Sequence, residues 1–334
     1  MKYKSLIVLI CTLCTSCGPD TGKQTDNVCN ILVRDYEDKT LDTESVFSQI
    51  DTLALQPRSG VMVSQVQDMC VNQQYIYILD DYQGLSCYNK MSGEMVKYIR
   101  TVGHAAGEYV MPKAICAFGD EVYLLHERAC NIYDIHLTFK RKISIDVSAL
   151  DFIKVEDGFL FCNLAPSKEV KRLVYTDNNG RIKDSFLSSM VLIDYAGSSK
   201  CFFYDDESNV YFSEPTSDDL YGWNNHAVQL CYHTDISHSY DGNLSATSEK
   251  EAYAYNTKWF KLKDKVINSF SFLENRYYNI YDTLTAISVC GQVNIQEDIP
   301  FNPQRQFADT LYGVYHRHDT SRGVDNPVVT IFSL

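Results

Sequence analysis

The chain has 334 residues, with 30 Lys and Arg against 43 Asp and Glu, a formal net charge of −13, and 45% hydrophobic residues. Such values describe a globular protein and exclude disordered, collagen-like and coiled-coil chains. An acidic chain without a basic cluster also excludes nucleic acid as a partner, because phosphate neutralisation needs Lys and Arg.

The chain opens on Met1-Lys2-Tyr3-Lys4, and Leu6 to Leu13 is nearly all apolar. A basic start, a short greasy run and small residues make a secretory signal. The run is too short to span a bilayer, which needs about 20 apolar residues. Leu13-Cys14-Thr15-Ser16-Cys17 resembles a bacterial lipobox, in which the Cys after the small residue is lipidated. The resemblance implies a signal over 1–16, lipid on Cys17, and a membrane anchor, expected in the outer membrane of a Gram-negative bacterium. Residues 17–30 are polar and without periodicity, which is the composition of a flexible tether.

Two apolar runs follow, Ile31–Val33 and Ile50–Leu55. Then one strand type recurs: Tyr75-Ile-Tyr-Ile-Leu-Asp80, Glu121-Val-Tyr-Leu-Leu-His126, Gly158-Phe-Leu-Phe-Cys-Asn163 and Asn209-Val-Tyr-Phe-Ser-Glu214. A further strand follows each and ends at Tyr88, Tyr133, Tyr175 and Tyr221, spaced by 45, 42 and 46 residues. Turns such as Ser92-Gly93 and Asn179-Gly180 then lead into another strand; Asn-Gly and Ser-Gly are hairpin chemistry. A period near 45 with about four strands per unit is a β-propeller blade. One blade cannot cover both its faces, so blades stack around an axis. The expectation is all-β: a six-bladed propeller over 31–334 with four-stranded antiparallel blades, its C-terminal strand Pro327–Leu334 pairing with an N-terminal one. One stretch departs from this pattern. Ala252, Tyr255, Trp259 and Leu262 recur at helical steps within 248–263, which predicts a helix or a loop between strands.

Nine cysteines remain beyond the signal: Cys29, Cys70, Cys87, Cys116, Cys130, Cys162, Cys201, Cys231 and Cys290. Nine is odd and no pair has metal-ligand spacing, so most are expected to be reduced core thiols, with at most one bridge.

Gly103-His-Ala-Ala-Gly-Glu-Tyr109 is similar to the G-x-G-x-G-E-[YF] linker of six-bladed propeller lipoproteins common in Bacteroidota, which resemble NHL-repeat propellers. Here Ala105 and Ala106 stand where that family often has Gly and Pro. Ser217-Asp-Asp-Leu-Tyr221 resembles its S-D-T-[IL]-Y element, and Asp325-Asn-Pro-Val-Val-Thr-Ile-Phe332 its closing strand. The resemblance covers about 28–334. It implies fold and export, and it supplies no catalytic residues.

Gly103 to Gly107 is no phosphate cradle, since neither a following helix nor Gly-Lys-Ser/Thr is present. The acidic pairs Asp80-Asp81, Asp205-Asp206 and Asp218-Asp219 lack the spacing of a calcium loop and are expected in solvated turns. His316 and His318 would share one strand face. Three Asp-Thr-Leu triplets, at Asp51, Asp282 and Asp309, resemble the O-glycosylation acceptor of exported Bacteroidota proteins.

Two functional readings remain. One is a binding or scaffold module for a glycan, peptide or protein, touching it through the loop region 223–257, with Trp223, His226, Tyr232 and His233 as contacts. The other is a hydrolase or lyase acting at the axis through carboxylates or a metal. Asp80, His126 and Glu214 end equivalent strands and are the candidates for an axial pocket. No cofactor is expected, though the axis could hold a structural cation.

Overall fold

The computed structural model of the chain describes residues 28–188, 200–238, 253–293, 299–319 and 324–334. Its strands form six sheets, each built on four antiparallel strands, and the sheets are the blades of a six-bladed propeller. The first blade is Val66–Val71, Tyr75–Asp80, Leu85–Asn89 and Met95–Ile99. The second is Pro112–Phe118, Glu121–His126, Ala129–Asp134 and Phe139–Ser144. The third is Ala149–Val155, Gly158–Asn163, Leu173–Asp177 and Ile182–Phe186. The fourth is Phe202–Tyr204, Val210–Phe212, Asp219–Asn224 and Ala227–Ile236. The fifth is Tyr255–Leu262, Lys265–Phe272, Asn275–Asp282 and Ile287–Val293. The sixth is Pro303–Phe307, Thr310–Asp319, Val324–Ser333 and, from the other end of the chain, Gln49–Ala54.

That last strand closes the ring. It lies antiparallel to the C-terminal strand, from Ala54 opposite Val328 to Gln49 opposite Ser333. Ile31–Val33 does not share this blade. Cys29–Val33 instead adds a fifth, parallel strand to the outside of the fourth blade, and Thr40–Leu41 does the same to the fifth. Residues 29–54 thus form a belt over three consecutive blades. Two aromatics pin it. Tyr36 is buried edge-on against Phe270, Phe272 and Tyr277, and Phe47 is buried against Phe301 and Phe332.

The first strand of each blade is innermost, because contacts between neighbouring blades near the axis run between these strands. The apolar core is therefore divided into wedges between blades, and the axis is left polar. One cluster joins the first and second blades through Tyr77, Leu79, Ile115 and Leu124. Another joins the sixth to the first through Tyr312, Val329, Ile78 and Tyr88. Each fully buried side chain of this size contributes about 1.5–3 kcal/mol, and both faces of every blade collect it.

The helix expected within 248–263 is replaced by a strand: residues 253–263 contain Tyr255–Leu262, the innermost strand of the fifth blade, and 248–252 lie outside the described residues. Trp259 packs toward the fourth blade, while Phe260 and Leu262 pack toward the sixth. With both faces covered, apolar residues need not alternate, and the residues chosen here fall at helical intervals. Among the described residues the only helical turn is the 3₁₀ segment Thr43–Ser45, capped by the Asp42 carboxylate.

The Gly103–Tyr109 segment links the first two blades, as its motif implies. Glu108 folds back so that its carboxylate accepts from the Ala105 amide at 2.9 Å, and buried Tyr109 donates its hydroxyl to the Gln83 carbonyl at 2.8 Å. Gly107 has φ +80°, a region that favours glycine. All nine cysteines are described and none forms a disulfide; seven are buried, and Cys29 and Cys231 are half-buried.

Candidate functional site: the propeller axis

Five innermost strands share a device. Each carries a β-bulge near its start, at Gln67, Lys113, Leu150, Thr257 and Gln304. A bulge places two residues opposite one and re-aims the side chains that follow. The residues just past it are Asp68, Ala114, Asp151, Lys258 and Arg305. Four of these five are ionisable, and Lys200 joins them from the segment leading into the fourth blade.

The result is a buried ion cluster across the axis. Arg305 Nη2 donates to both oxygens of Asp68, at 2.8 and 3.0 Å. Lys200 Nζ lies 2.7 Å from Asp68 Oδ2 and 3.9 Å from Asp151 Oδ1. Arg305 Nη2 is 3.8 Å from the same Asp151 oxygen. Burial raises the Asp68 carboxyl, but Arg305 and Lys200 outweigh it and hold the group below the usual carboxylate range. The two aspartates also clasp neighbouring blades. Asp68 accepts the Ile115 amide at 2.8 Å, and Asp151 accepts the Cys201 amide at 2.7 Å. A second set of inter-blade bonds reaches the carbonyl just before the next bulge: Gln67 to Pro112 at 2.9 Å, Lys113 to Ala149 at 3.2 Å, and Lys258 to Pro303 at 3.3 Å.

Turns joining first to second strands define a lower face; turns joining second to third strands, and the links between blades, define an upper one. On the lower side the axis opens into a cavity of about 350 Å³. Arg305 closes its inner end, and its walls are aromatic, with Phe118, Phe152, Phe203, Tyr204 and Phe307. Phe118 is 37% exposed and lies 6.0 Å from Tyr204 between ring centroids. The Lys154 ammonium sits 5.3 Å over the Phe118 ring. Two buried thiols, Cys70 and Cys116, reach the cavity, and burial pushes both above the ordinary thiol pKa. Asp205 at the rim is committed to its own turn, accepting the Asn209 amide at 2.8 Å, and to Lys261 at 3.3 Å.

Asp80, His126 and Glu214 do occupy corresponding positions, but Asp80 and His126 end second strands on the upper face and Glu214 lies two residues beyond one, so all three stand one strand away from the axis. Each is engaged locally. Asp80 accepts the Gly84 amide at 2.7 Å and is raised by burial. His126 Nε2 is 3.2 Å from Asn131 Oδ1, and burial lowers the ring's pKa. Glu214 pairs with fully buried Arg172. The structure does not bring them together.

The proposed loop contacts divide in two, and three of them are on strands. Trp223 and His226 join Tyr175 and Phe186 in an aromatic cluster on the lower seam between the third and fourth blades, with His226 Nε2 3.2 Å from Asp157. Tyr232 and His233 lie on Ala227–Ile236. His233 Nδ1 is 2.7 Å from Asp219 Oδ1, whose other oxygen accepts the Tyr221 hydroxyl at 3.0 Å. Neighbouring Asp218 accepts from Asn256 at 2.7 Å, and burial raises its pKa to about 6. His316 bonds the Ser64 carbonyl at 3.1 Å, while Cys17 and the His318 side chain lie outside the described residues. The axial charges Asp68, Asp151, Lys200, Lys258 and Arg305 are absent from the sequence-based candidates. Asp68, Asp151 and Lys200 stand in the segments just before three of the recurrent strands, whereas Lys258 and Arg305 precede Lys265–Phe272 and Thr310–Asp319, which do not stand out as repeats.

The fold has known counterparts. A Bacteroides fragilis protein named for its supposed export superposes with a TM-score of 0.73 at 14% identity, over 92% of this chain and 99% of that one. A member of the DUF4221 family from Bacteroides vulgatus gives 0.54 at 9% identity, over 86% and 96%. At these identities the likeness is one of fold. No curated protein matches the chain. The family model for a domain of unknown function, DUF4934, matches residues 27–327, and the chain belongs to that family.

Proposed function

We propose that this is an exported, lipid-anchored binding module that takes its ligand in the lower axial cavity. The observation that carries the reading is that cavity: about 350 Å³, aromatic-walled and open at one face of a closed disc. Ligand pockets of this kind have a volume of about 300–1,000 Å³, apolar walls and few polar groups. The volume suits one sugar ring of a glycan, or one large side chain of a peptide or protein. The alternative, a hydrolase or lyase working through axial carboxylates, has less support. Asp68 and Asp151 already hold backbone amides, and Asp68 also holds two cations. Export, the anchor at Cys17 and the likeness to NHL-type propeller lipoproteins rest on the signal, the Leu13–Cys17 motif and the Gly103–Tyr109 linker.

Glycan and peptide arrays probed with the purified protein test the binding reading. A ligand retained by the unmodified chain and weakened roughly tenfold or more in Phe118→Ala and Phe307→Ala is the expected result, since a buried aromatic anchor is worth about 2 kcal/mol or more. A ligand indifferent to both substitutions would place binding elsewhere. Labelled palmitate should enter the full chain and be absent from Cys17→Ala; equal labelling of the two rejects the anchor.

A further inference from the structure

The upper end of the axis holds a second, smaller void. Its room is about 20 Å³, above the roughly 10–15 Å³ that one water requires. The charged groups lining it are Lys200, Lys258 and Arg305, all cations. Asp68 and Asp151 do not line it; they lie behind Lys200 and Arg305 as ion-pair partners. Lys258 makes no ion pair among the described residues, and the hydrogen bond seen there for its ammonium goes to the Pro303 carbonyl at 3.3 Å. Three cations against two carboxylates leave a surplus of one positive charge in a buried site. A buried charge without a partner costs several kcal/mol, and it is relieved by losing a proton or by gaining a counter-ion. Burial, with Arg276, Arg305 and Lys200 nearby, lowers the Lys258 pKa to about 7.

We propose that this void binds one small monovalent anion, a halide such as chloride, between Lys200, Lys258 and Arg305. The size of the void excludes a sugar acid or phosphate ester, and the sign of its lining opposes a cation. The bound anion brings the cluster to neutrality. It also ties three blades together, because Lys200 leads into the fourth, Lys258 belongs to the fifth and Arg305 to the sixth. The void meets the lower cavity at Phe202, Phe203 and Arg305, but the binding reading does not draw on Lys200 or Lys258, so failure of the anion site leaves that reading untouched.

Bromide soaked into crystals of the protein, with data collected at the bromine edge, locates the ion directly. The expected result is an anomalous peak within hydrogen-bond reach of the Lys258 ammonium. Melting is compared in sodium chloride and in sodium gluconate at equal ionic strength. An ion that binds only the folded state raises Tm, here by about 2 °C or more in chloride, and Lys258→Met should abolish the difference. Water density without an anomalous peak overturns the proposal, as does a Tm difference that survives in Lys258→Met. Should that variant fail to fold, the bromide map of the unmodified chain decides alone.

Discussion

At the scale of single residues, Asp218 shows how burial and hydrogen bonding trade against one another. Its carboxylate accepts from Asn256, which continues a buried amide ladder to Asn268 at 2.7 Å and Asn279 at 3.0 Å. Burial nevertheless dominates and lifts the pKa to about 6, against 3.8 for a free side chain. A carboxyl raised on folding favours the neutral form. Its contribution is fully present below pH 4 and is lost as pH rises through 6. Asp218→Asn keeps the acceptor and removes the charge. It should therefore stabilise the protein at pH 8 by roughly 3 kcal/mol, since each pKa unit is worth about 1.4 kcal/mol. The gain should vanish near pH 4. Urea unfolding at the two pH values measures it, and a gain equal at both would mean that the charge is not the cause. Sequence singled out this acidic pair only as a solvated turn. Composition cannot tell an exposed carboxylate from one folded under a neighbouring blade.

At the scale of strands, what could be read depended on regularity. The recurrent strands from Tyr75, Glu121, Gly158 and Val210 are second strands, apolar along most of their length and bounded by polar turns. The tyrosines of the strands that follow them, Tyr88, Tyr133, Tyr175 and Tyr221, gave the period and hence the blade count. The strand before each second strand was not recognised. Val66-Gln-Asp-Met-Cys-Val71 and Tyr255–Leu262 mix charge with apolar residues, and a bulge breaks the alternation on which strand recognition relies. This hidden strand is also the innermost, so the candidate axial residues were placed one strand too far out, at Asp80, His126 and Glu214. The bulge that hides the strand is what turns Asp68 and Arg305 toward each other. The Gly103–Tyr109 linker was legible for the opposite reason, since its role needs only local contacts: a glycine at positive φ, a folded-back Glu108 and the Tyr109 anchor.

At the scale of the molecule, closure and reinforcement are separate tasks given to one N-terminal segment. The clasp Gln49–Ala54 completes the sixth blade, and without it the C-terminal strand is an open edge. The belt Cys29–Leu41 adds parallel strands to blades that already have four antiparallel ones, and it inserts Tyr36 between them. Exposed strand edges invite pairing with other chains, so the two parts should fail differently. Deleting residues 28–41 removes the belt and leaves the clasp. The product should stay folded with a lower Tm, because it loses a buried tyrosine whose truncation alone costs about 3 kcal/mol, and it should self-associate through the bared edges of the fourth and fifth blades. Deleting residues 28–55 also opens the ring, and the ion cluster at the axis, which draws Arg305 from the sixth blade, loses its frame. That product should lose cooperative melting altogether. Calorimetry with light scattering on both truncations separates the outcomes. If the longer deletion melts as sharply as the shorter, the ring does not depend on its clasp, and the blades hold one another through their wedges alone.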